Sequence, residues 1–294
     1  MIAPDDERAR LMRWVICAAI VGALAPNLLL APRADAADLD QLRGPLTVGP
    51  AAFTRWAGFY AGGQFDYSSG NTDFSKATQP LFANSGQNLV LVTIAHVDQW
   101  MPLGSNSNAN ATGFGGFVGY NSQWQDLVLG IEANYTHAPF TTVATATPLD
   151  RVVGAGSTTN AVNMTASGSL SITDFGSLRG RFGYVFNNFL PYGFAGLALG
   201  RGSYRVTADA AVQQSTTGVV PCIPNGSSCI DFDIGGTTSK TNTLLYGFAV
   251  GGGFDMAVTQ NIFLRGEYEF IQFAPVANIT ATISSVRAGA GFKF

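Results

Sequence analysis

Apolar and polar residues alternate with a period of two over much of the chain, and the alternation is clearest in residues 286–294. One face of that segment carries apolar side chains and ends in Phe294, whereas the other carries Arg287, Lys293 and two intervening glycines. A strand that is apolar on one face, charged or small on the other, and aromatic at its end is typical of the closing strand of a transmembrane β-barrel. The pattern predicts lipid on the apolar face and a barrel interior on the charged face.

Eight segments of eight to sixteen residues show strand-like patterns, and all but 113–120 reach the length of about ten that a tilted strand needs to cross a bilayer. They are 56–67, 113–120, 127–136, 172–186, 189–204, 243–257, 262–273 and 283–294. Residues 89–97 are also strand-like but lie inside the first long connection. They could form an arm of an extracellular hairpin or part of an extra strand pair. We favour the arm, because a spanning pair would need a second segment and a turn in the same connection.

The connections between these segments differ in length. Three are short and polar (121–126, 187–188 and 258–261), three are long and rich in Ser, Thr, Asn and Gly (68–112, 137–171 and 205–242), and 274–282 is intermediate. Short periplasmic turns and long extracellular loops are typical of an outer-membrane barrel, whose sheet must close because lipid cannot bond unpaired backbone groups. We therefore predict an all-β fold, an eight-stranded antiparallel up-and-down transmembrane β-barrel, with both termini on the periplasmic side.

The N-terminal region has the pattern of a secretory signal. Three arginines precede the apolar run 14–25, and an Ala-Asp-Ala cleavage pattern follows at 34–36. We predict a signal peptide at 1–36, a periplasmic lead-in at 37–54 and a transmembrane β-barrel domain at 55–294.

A membrane-anchoring helix is the alternative for this N-terminal run, and Pro26 disfavours it. Translation could start at Met1 or at Met12, and the sequence leaves both open.

The composition agrees with a barrel and excludes some partners. Charged residues make up 12% of the chain, about half the usual share of soluble domains. The net charge of −3 provides neither a basic surface for nucleic acid nor an acidic tail. Scarce charge without a long apolar run after the N-terminal region fits a fold that spreads its hydrophobicity over alternate positions.

The cysteines Cys222 and Cys229 flank a Pro-Asn-Gly-Ser turn that could bring their sulfurs together. Export would place them in an oxidising compartment, so we predict a loop disulfide, with two free thiols as the alternative. The chain has only two histidines, His96 and His137, and neither is near the cysteines in sequence. We therefore expect no metal site and no cofactor.

Charged residues on the inward faces of the predicted strands are the main candidate site. They are Glu132, Arg179, Arg181, Arg265, Glu267, Glu269 and Arg287. They could form a selectivity filter or an ion-pair network that fills the barrel. Eight strands leave an interior just wide enough for side chains, and three acids can nearly neutralise four arginines. We expect the filled interior, with Lys293 as a charge at the periplasmic rim.

Aromatic residues fall into two predicted groups. Those near strand ends are interpreted as interface girdles, namely Trp56, Tyr67, Trp124, Tyr184, Tyr192 and Phe273. Those in long connections could bind host surfaces, haem or other envelope components, or could only shield the rim, namely Phe82, Trp100, Tyr204 and Phe232. His137 lies at the outer end of the third segment, where some barrel acyltransferases and deacylases place a base, but no motif accompanies it and we expect no catalytic residue.

Sequence blocks in seven of the eight segments resemble a known family. They are Trp-Ala-Gly-Phe-Tyr-Ala-Gly-Gly at 56–63, Gly-Phe-Val-Gly-Tyr-Asn at 116–121, Leu-Gly-Ile-Glu-Ala-Asn at 129–134, Gly-Ser-Leu-Arg-Gly-Arg-Phe-Gly-Tyr at 176–184, Leu-Pro-Tyr-Gly-Phe-Ala-Gly-Leu-Ala at 190–198, Gly-Glu-Tyr-Glu-Phe at 266–270 and Val-Arg-Ala-Gly-Ala-Gly-Phe-Lys-Phe at 286–294. In their order they resemble the alphaproteobacterial outer-membrane immunogenic proteins, OmpA-like eight-stranded barrels often labelled porins. The first and third long connections are longer than is usual in that family.

This resemblance implies a non-enzymatic surface antigen of the Gram-negative outer membrane. Phe292 and Phe294 would be the recognition end for the outer-membrane assembly machinery. The expected function is envelope integrity and presentation of surface loops, with a small-solute channel or loop-mediated ligand binding as alternatives. The expected partners are outer-membrane lipid, lipopolysaccharide and the assembly machinery, with no nucleic acid and a monomer favoured.

Overall fold

The computed structural model describes residues 55–83, 96, 100, 103–104, 106–155, 157–220 and 229–294. Antiparallel strands whose side chains alternate between inward and outward form most of it. The strands are β1 (Gly58–Asp73), β2 (Ser107–Trp124), β3 (Leu127–Thr145), β4 (Leu149–Ala155), β5 (Thr158–Tyr184), β6 (Phe189–Ser215), β7 (Cys229–Ala257), β8 (Ile262–Phe273) and β9 (Thr280–Lys293). A short helix, α1 (Gln79–Ala83), lies in the first long connection. Within the described ranges, no helix is both long and apolar enough to span a membrane.

The strands pair in the order β3-β2-β1-β9-β8-β7-β6-β5-β4, and an additional β3–β5 pairing closes the sheet into a ring. β4 extends β3 along the same edge of β5. The residues of β5 from Ser167 to its C-terminal end pair with β3, and those from Met164 to its N-terminal end pair with β4. The wall is thus a ring of eight strands, and the predicted antiparallel barrel is confirmed.

The register of the ring determines which inward side chains lie at one level. Successive Cα partners lead from Tyr60 through Gly119, Glu132, Arg179, Gly196, Ala249, Ile271 and Ile283 back to β1 at Gly70. The shift over one circuit is 70 − 60, or ten residues. A stagger of this kind requires the strands to tilt around the barrel axis, so residues of quite different number meet inside the barrel.

Several strands are longer than predicted. β5 and β6 have 27 residues each and β7 has 29, so much of the predicted connections 137–171 and 205–242 is strand. The alternation there contrasts small inward residues, such as Ala166 and Ala208, with Ser and Thr on the outside, which is a weak hydrophobicity signal. β3, β5, β6 and β7 therefore extend the wall beyond the point where β8 and β9 meet.

The lipid-facing surface is a belt of outward apolar side chains such as Phe65, Ile131 and Leu197. The signal peptide and the lead-in lie outside the described residues, and so does the segment 89–97 apart from His96. Their boundaries stay predictions.

Candidate functional site

The seven inward charges predicted from the sequence lie together in the barrel interior, and all are buried. The tilt of the strands brings together residues of β3, β5, β8 and β9 that are far apart in sequence. We call this set, with the two acids added below, the charged layer. It crosses the lumen within the part of the wall that carries the apolar belt.

Glu132 is the centre of the charged layer. Its carboxylate accepts hydrogen bonds from Arg179 Nη2 at 2.5 Å, from Arg181 Nη1 at 3.0 Å and from Arg265 Nη1 at 2.9 Å. The hydroxyl of Tyr60 donates to the same carboxylate at 2.7 Å. One carboxylate therefore holds three guanidinium groups from two strands.

Glu267 and Glu269 form a second centre on β8. Arg179 Nη2 lies 2.5 Å from Glu267 Oε2, and Arg179 Nη1 lies 3.3 Å from Glu269 Oε1. Arg287 Nη1 contacts Glu267 Oε1 at 3.2 Å, and its Nη2 pairs with Glu269 Oε2. Arg179 thus joins this centre to Glu132, and the ion pairs form one connected network.

Two acids that the sequence interpretation left out complete the layer. Asp255 pairs with Arg181 at 2.7 Å and with Arg265 at 2.8 Å, and Asp66 pairs with Arg287 at 3.0 Å. Their inward position follows from the same period of two, which is the signal that could have identified them. Five carboxylates then face four guanidinium groups, a net charge of −1 (four minus five).

Aromatic rings cover the flat faces of three guanidinium groups. Arg179 lies over Phe194, Arg181 over Tyr192 and Arg265 over Phe117, each with 3.8 Å from Cζ to the ring centroid. Cation–π contacts of this kind hold the planar group while its edges donate to carboxylates. These three arginines are therefore held by a ring against one face and by carboxylates at the edge.

An apolar cluster, which we call the outer cap, lies in the lumen on the extracellular side of the charged layer. Residues of the first long connection pack into it, including Phe74, Phe82 and Leu103, which are almost fully buried. The connection closes on itself because Phe74 N–H donates to the Gly104 carbonyl at 3.2 Å. A Cβ on Gly168 would lie 2.9 Å from Phe74 Cδ1, so the wall needs a glycine where this ring approaches.

A smaller aromatic cluster, which we call the inner cap, lies at the periplasmic end of the lumen. Trp56 is buried there, stacks edge-on against Phe263 with a centroid distance of 6.0 Å, and donates its backbone N–H to Gln123 Oε1 at 2.7 Å. Lys293 Nζ lies 4.3 Å from the Trp56 ring. The chain enters β1 through Gly58, whose φ of 121° is a conformation that other residues rarely adopt.

These positions correct part of the predicted girdle. Trp56, Tyr192 and Phe273 point into the barrel and are buried, whereas Tyr67, Trp124 and Tyr184 are exposed on the outside. The error arose at strand ends, where a residue's face depends on where the strand begins and on a register that the sequence does not specify.

The four aromatic residues considered for loop-mediated binding pack in or against the outer cap. Phe82 is buried in the outer cap, and Trp100, Tyr204 and Phe232 pack against it. Tyr204 and Phe232 belong to β6 and β7 rather than to loops. Phe82 is thus covered, whereas Trp100, Tyr204 and Phe232 stay partly exposed.

The remaining predicted residues that the structure describes lie outside the charged layer and the two caps. His137 Nδ1 lies 2.8 Å from Asp174 Oδ1 on the outer wall. Cys229 is disulfide-bonded, whereas Cys222 lies outside the described residues, so their pairing stays a prediction. Phe292 and Phe294 point outward and are exposed at the end of β9.

Comparisons with known proteins agree with this architecture. Residues 44–294 match the family described as outer membrane protein beta-barrel domain. The chain is 28% identical to the 22 kDa outer membrane protein of Rhizobium leguminosarum bv. viciae over 220 aligned residues. The aligned region covers 74% of this chain and 64% of that protein. The chain therefore matches slightly less than two thirds of that relative's length.

Solved structures show weaker similarity. The attachment invasion locus protein Ail of Yersinia pestis is 13% identical, with a TM-score of 0.34, over 81% of this chain and 99% of that one. The outer membrane protein OprG of Pseudomonas aeruginosa is 11% identical, with a TM-score of 0.36, over 81% of this chain and 96% of that one. TM-scores of this size support no further conclusion.

Proposed function

Because the chain belongs to the outer membrane protein β-barrel domain family and resides in the bacterial outer membrane, we propose that it is a non-enzymatic structural barrel with a closed lumen. It supports envelope integrity and presents its extracellular extension at the cell surface. The charged layer is the observation that carries this proposal. A lumen filled by its own ion pairs leaves no continuous path for solutes.

The energetics of the charged layer favour a filled barrier over a selectivity filter. A conducting pore needs sites that an ion can enter and leave, with water able to replace it. Here each arginine is held by at least two carboxylates, and breaking a buried ion pair costs about 3–5 kcal/mol. An ion that crossed would have to break several pairs at once.

The two caps add apolar obstacles in series with the charged layer. The outer cap buries Phe74, Phe82 and Leu103 in the extracellular half of the lumen, and the inner cap buries Trp56 at the periplasmic end. Moving an unpaired charge into apolar surroundings is costly, so each cap opposes ions independently of the ion pairs.

We extend the proposal to the remaining predictions from the sequence. The exported chain begins near Ala37, the lead-in ends at residue 54, and Cys222 is the partner of Cys229. The exposed C-terminal Phe292 and Phe294 engage the assembly machinery, and the barrel functions as a monomer.

Solute flux tests the proposal against its alternative, a small-solute channel. The protein is reconstituted into liposomes, and swelling is followed in iso-osmotic arabinose and glycine. We expect no swelling above protein-free liposomes, whereas a known porin in the same lipid should give clear swelling. Swelling that grows with the amount of folded barrel, measured by heat-modifiable gel migration, would contradict the closed lumen.

A further inference from the structure

One long edge of the extracellular extension has no partner strand among the described residues. β7 pairs with β6 from Cys229 onwards, but its pairing with β8 begins only at Gly247. One further bond, from Ala274 N–H to the Tyr246 carbonyl at 2.8 Å, completes the contact on that side. The β7 residues 230–245 therefore turn one edge away from the ring, and we call this stretch the β7 edge.

β8 does not cover the β7 edge because the chain turns back early. Pro275 follows β8 and has no N–H to donate to a ladder. Val276 and Ile279 then exchange backbone hydrogen bonds at 3.0 and 2.9 Å. Between them, Ala277 and Asn278 have φ angles of 51° and 59°, as in a two-residue hairpin turn. The hairpin of β8 and β9 thus ends while β7 continues outward.

The lumen side of β7 is covered, whereas its outer face is open. α1 packs against β6 and β7, and its Phe82 is buried among the inward side chains of the outer cap. On the outer face of β7, Thr237 and Ser239 are exposed. A partner can therefore reach β7 along its edge and its outer face.

The usual protections of a sheet edge are confined to the membrane end of this one. Proteins protect such edges with lysine, proline or bulges, among other devices. Here Lys240 is exposed, and the register of β6 and β7 shifts between it and Thr243. From Ile230 to Ser239 the strand contains neither lysine nor proline. The backbone of this stretch can therefore pair with an extended polypeptide, which is how a sheet binds an added strand.

Acidic side chains dominate the outer face at the tip of the extension. The charged residues of this face on the outer parts of β6 and β7 are Asp209, Asp231, Asp233 and Arg205. Asp150 on β4 lies in the same row as Asp233, three strands away. In the register Arg205 is six positions nearer the membrane than Asp233, which is roughly 20 Å along the strand. Arg201 and Asp174 lie opposite each other still nearer the membrane.

Apolar side chains alternate with the two aspartates of β7. Ile230 is 56% exposed, and Phe232 is partly exposed on the same face. Asp231 and Asp233 lie on the other face of the strand. Side chains directly opposite each other on paired strands interact, and like charges there are destabilising. A matching strand therefore has basic residues opposite the aspartates and apolar residues opposite Ile230 and Phe232.

A second copy of this chain does not fit the edge. Two barrels in one membrane are related by an axis along the membrane normal. Strands tilted by about 35–45° from that axis would cross one another rather than run antiparallel. Both edges would also present the same two aspartates, whose like charges oppose pairing. The partner is therefore a different polypeptide.

We propose that the β7 edge binds an extended polypeptide segment with alternating basic and apolar residues, which adds to the sheet as an antiparallel strand. This strand continues the direction of β8, and its backbone bonds to β7 while its basic residues contact Asp231 and Asp233. The proposal rests on the proposed presentation of the extension at the cell surface. It does not require a closed lumen, so its failure would leave that claim standing.

A designed peptide tests the edge directly. The probe is fluorescein-labelled Glu-Thr-Val-Thr-Val-Thr-Val-Lys-Val-Lys-Val, which places glutamate opposite Lys240 and the two lysines opposite Asp233 and Asp231. Fluorescence anisotropy follows its binding to the purified barrel in detergent micelles. We expect saturable binding to the folded barrel and none to the heat-unfolded one.

Two N-methylated forms of the peptide test whether a backbone ladder forms. One form is methylated at every odd residue of the core of the peptide and the other at every even residue. Because the N–H groups of a strand point alternately to its two sides, only one form loses the bonds to β7. That form should bind on the order of tenfold more weakly than the parent peptide, whereas the other should bind like it.

D231N/D233N tests the charge requirement. It should weaken binding of the lysine peptide about three- to tenfold, since two exposed ion pairs are lost. A peptide with glutamate in place of both lysines should bind the unaltered barrel more weakly and gain affinity for D231N/D233N. The matched control is D126N/D150N, which removes the same charge at exposed positions away from the edge and should bind like the unaltered protein. Heat-modifiable migration shows that each variant is folded.

Hydrogen exchange locates the bound peptide. Amides of residues 230–245 should exchange more slowly when the peptide is present, whereas those of β8 should not change. Equal binding of the two methylated forms, an unchanged affinity in D231N/D233N, or protection outside β7 alone would each overturn the proposal. Absence of saturable binding to the folded barrel would also overturn it, and is the result expected if another part of the chain occupies the edge.

Discussion

Replacing Arg287 with glutamine should destabilise the barrel strongly, because this residue ties the closing strand to its neighbours. Arg287 on β9 contacts Asp66 on β1 at 3.0 Å, Glu267 on β8 at 3.2 Å, and Glu269 on β8. Glu267 and Glu269 keep Arg179 when Arg287 is lost, whereas Asp66 loses its arginine. The charged layer would change from five carboxylates and four arginines to five and three, a net charge of −2 (three minus five).

The magnitude follows from the burial of the partners. Removing one member of a buried ion pair costs about 3–5 kcal/mol, since the remaining charge is left uncompensated. Equilibrium unfolding in urea, with the protein folded in phosphatidylcholine vesicles and followed by tryptophan fluorescence, measures the free energy of unfolding. The matched control is Arg205→Gln, an exposed position where a change within about 0.5 kcal/mol is expected.

A second substitution tests the stated cause. In Asp66→Asn/Arg287→Gln the uncompensated carboxylate is gone, and the layer returns to a net charge of −1 with four carboxylates and three arginines. The double variant should regain about 1–3 kcal/mol relative to Arg287→Gln alone. The reasoning would be refuted if Arg287→Gln cost no more than Arg205→Gln, or if the two interior substitutions were additive.

Three further predictions concern the caps and the disulfide. Trp56→Ala should lower the free energy of unfolding by about 3–5 kcal/mol in the same urea assay, and a loss below 1 kcal/mol would mean that the ring does not pack in the lumen. Gly168→Leu should displace Phe74 and lower the free energy of unfolding by about 1–3 kcal/mol. It should also make the first long connection more sensitive to protease in intact vesicles, and unchanged proteolysis would count against the outer cap. Alkylation of the denatured mature protein should add mass at Cys222 and Cys229 only after reduction, and labelling without reductant would argue against their bridge.

The sequence predicted the membrane strands well because both faces of a spanning strand have strong requirements. Residues such as Leu197 must meet lipid, and residues such as Arg179 must meet the lumen, so the period of two is unambiguous between them. The same contrast placed Arg287 on the inner face opposite the glutamates of the neighbouring strand. The structure brings these side chains into contact.

The sequence could not give the features that depend on register and on packing across the lumen. The ten-residue shift around the ring arises from backbone hydrogen bonds between strands, and it decides that Asp66 meets Arg287 and that Asp255 meets Arg181. The extension of β6 carries alternating Ala and polar residues, whose contrast is too weak to reveal a strand. The inward position of Trp56 depends on the turn at Gly58, which no periodicity reports.

Single-channel recording in planar bilayers tests the closed lumen most directly. Folded barrels inserted at defined density in 1 M salt should give no steady openings across the voltage range in which a known porin conducts, because the charged layer and both caps fill the lumen. Steady openings whose size or ion selectivity changes in Arg179→Ala would contradict this account, since current would then pass through the ion pairs that are proposed to block it.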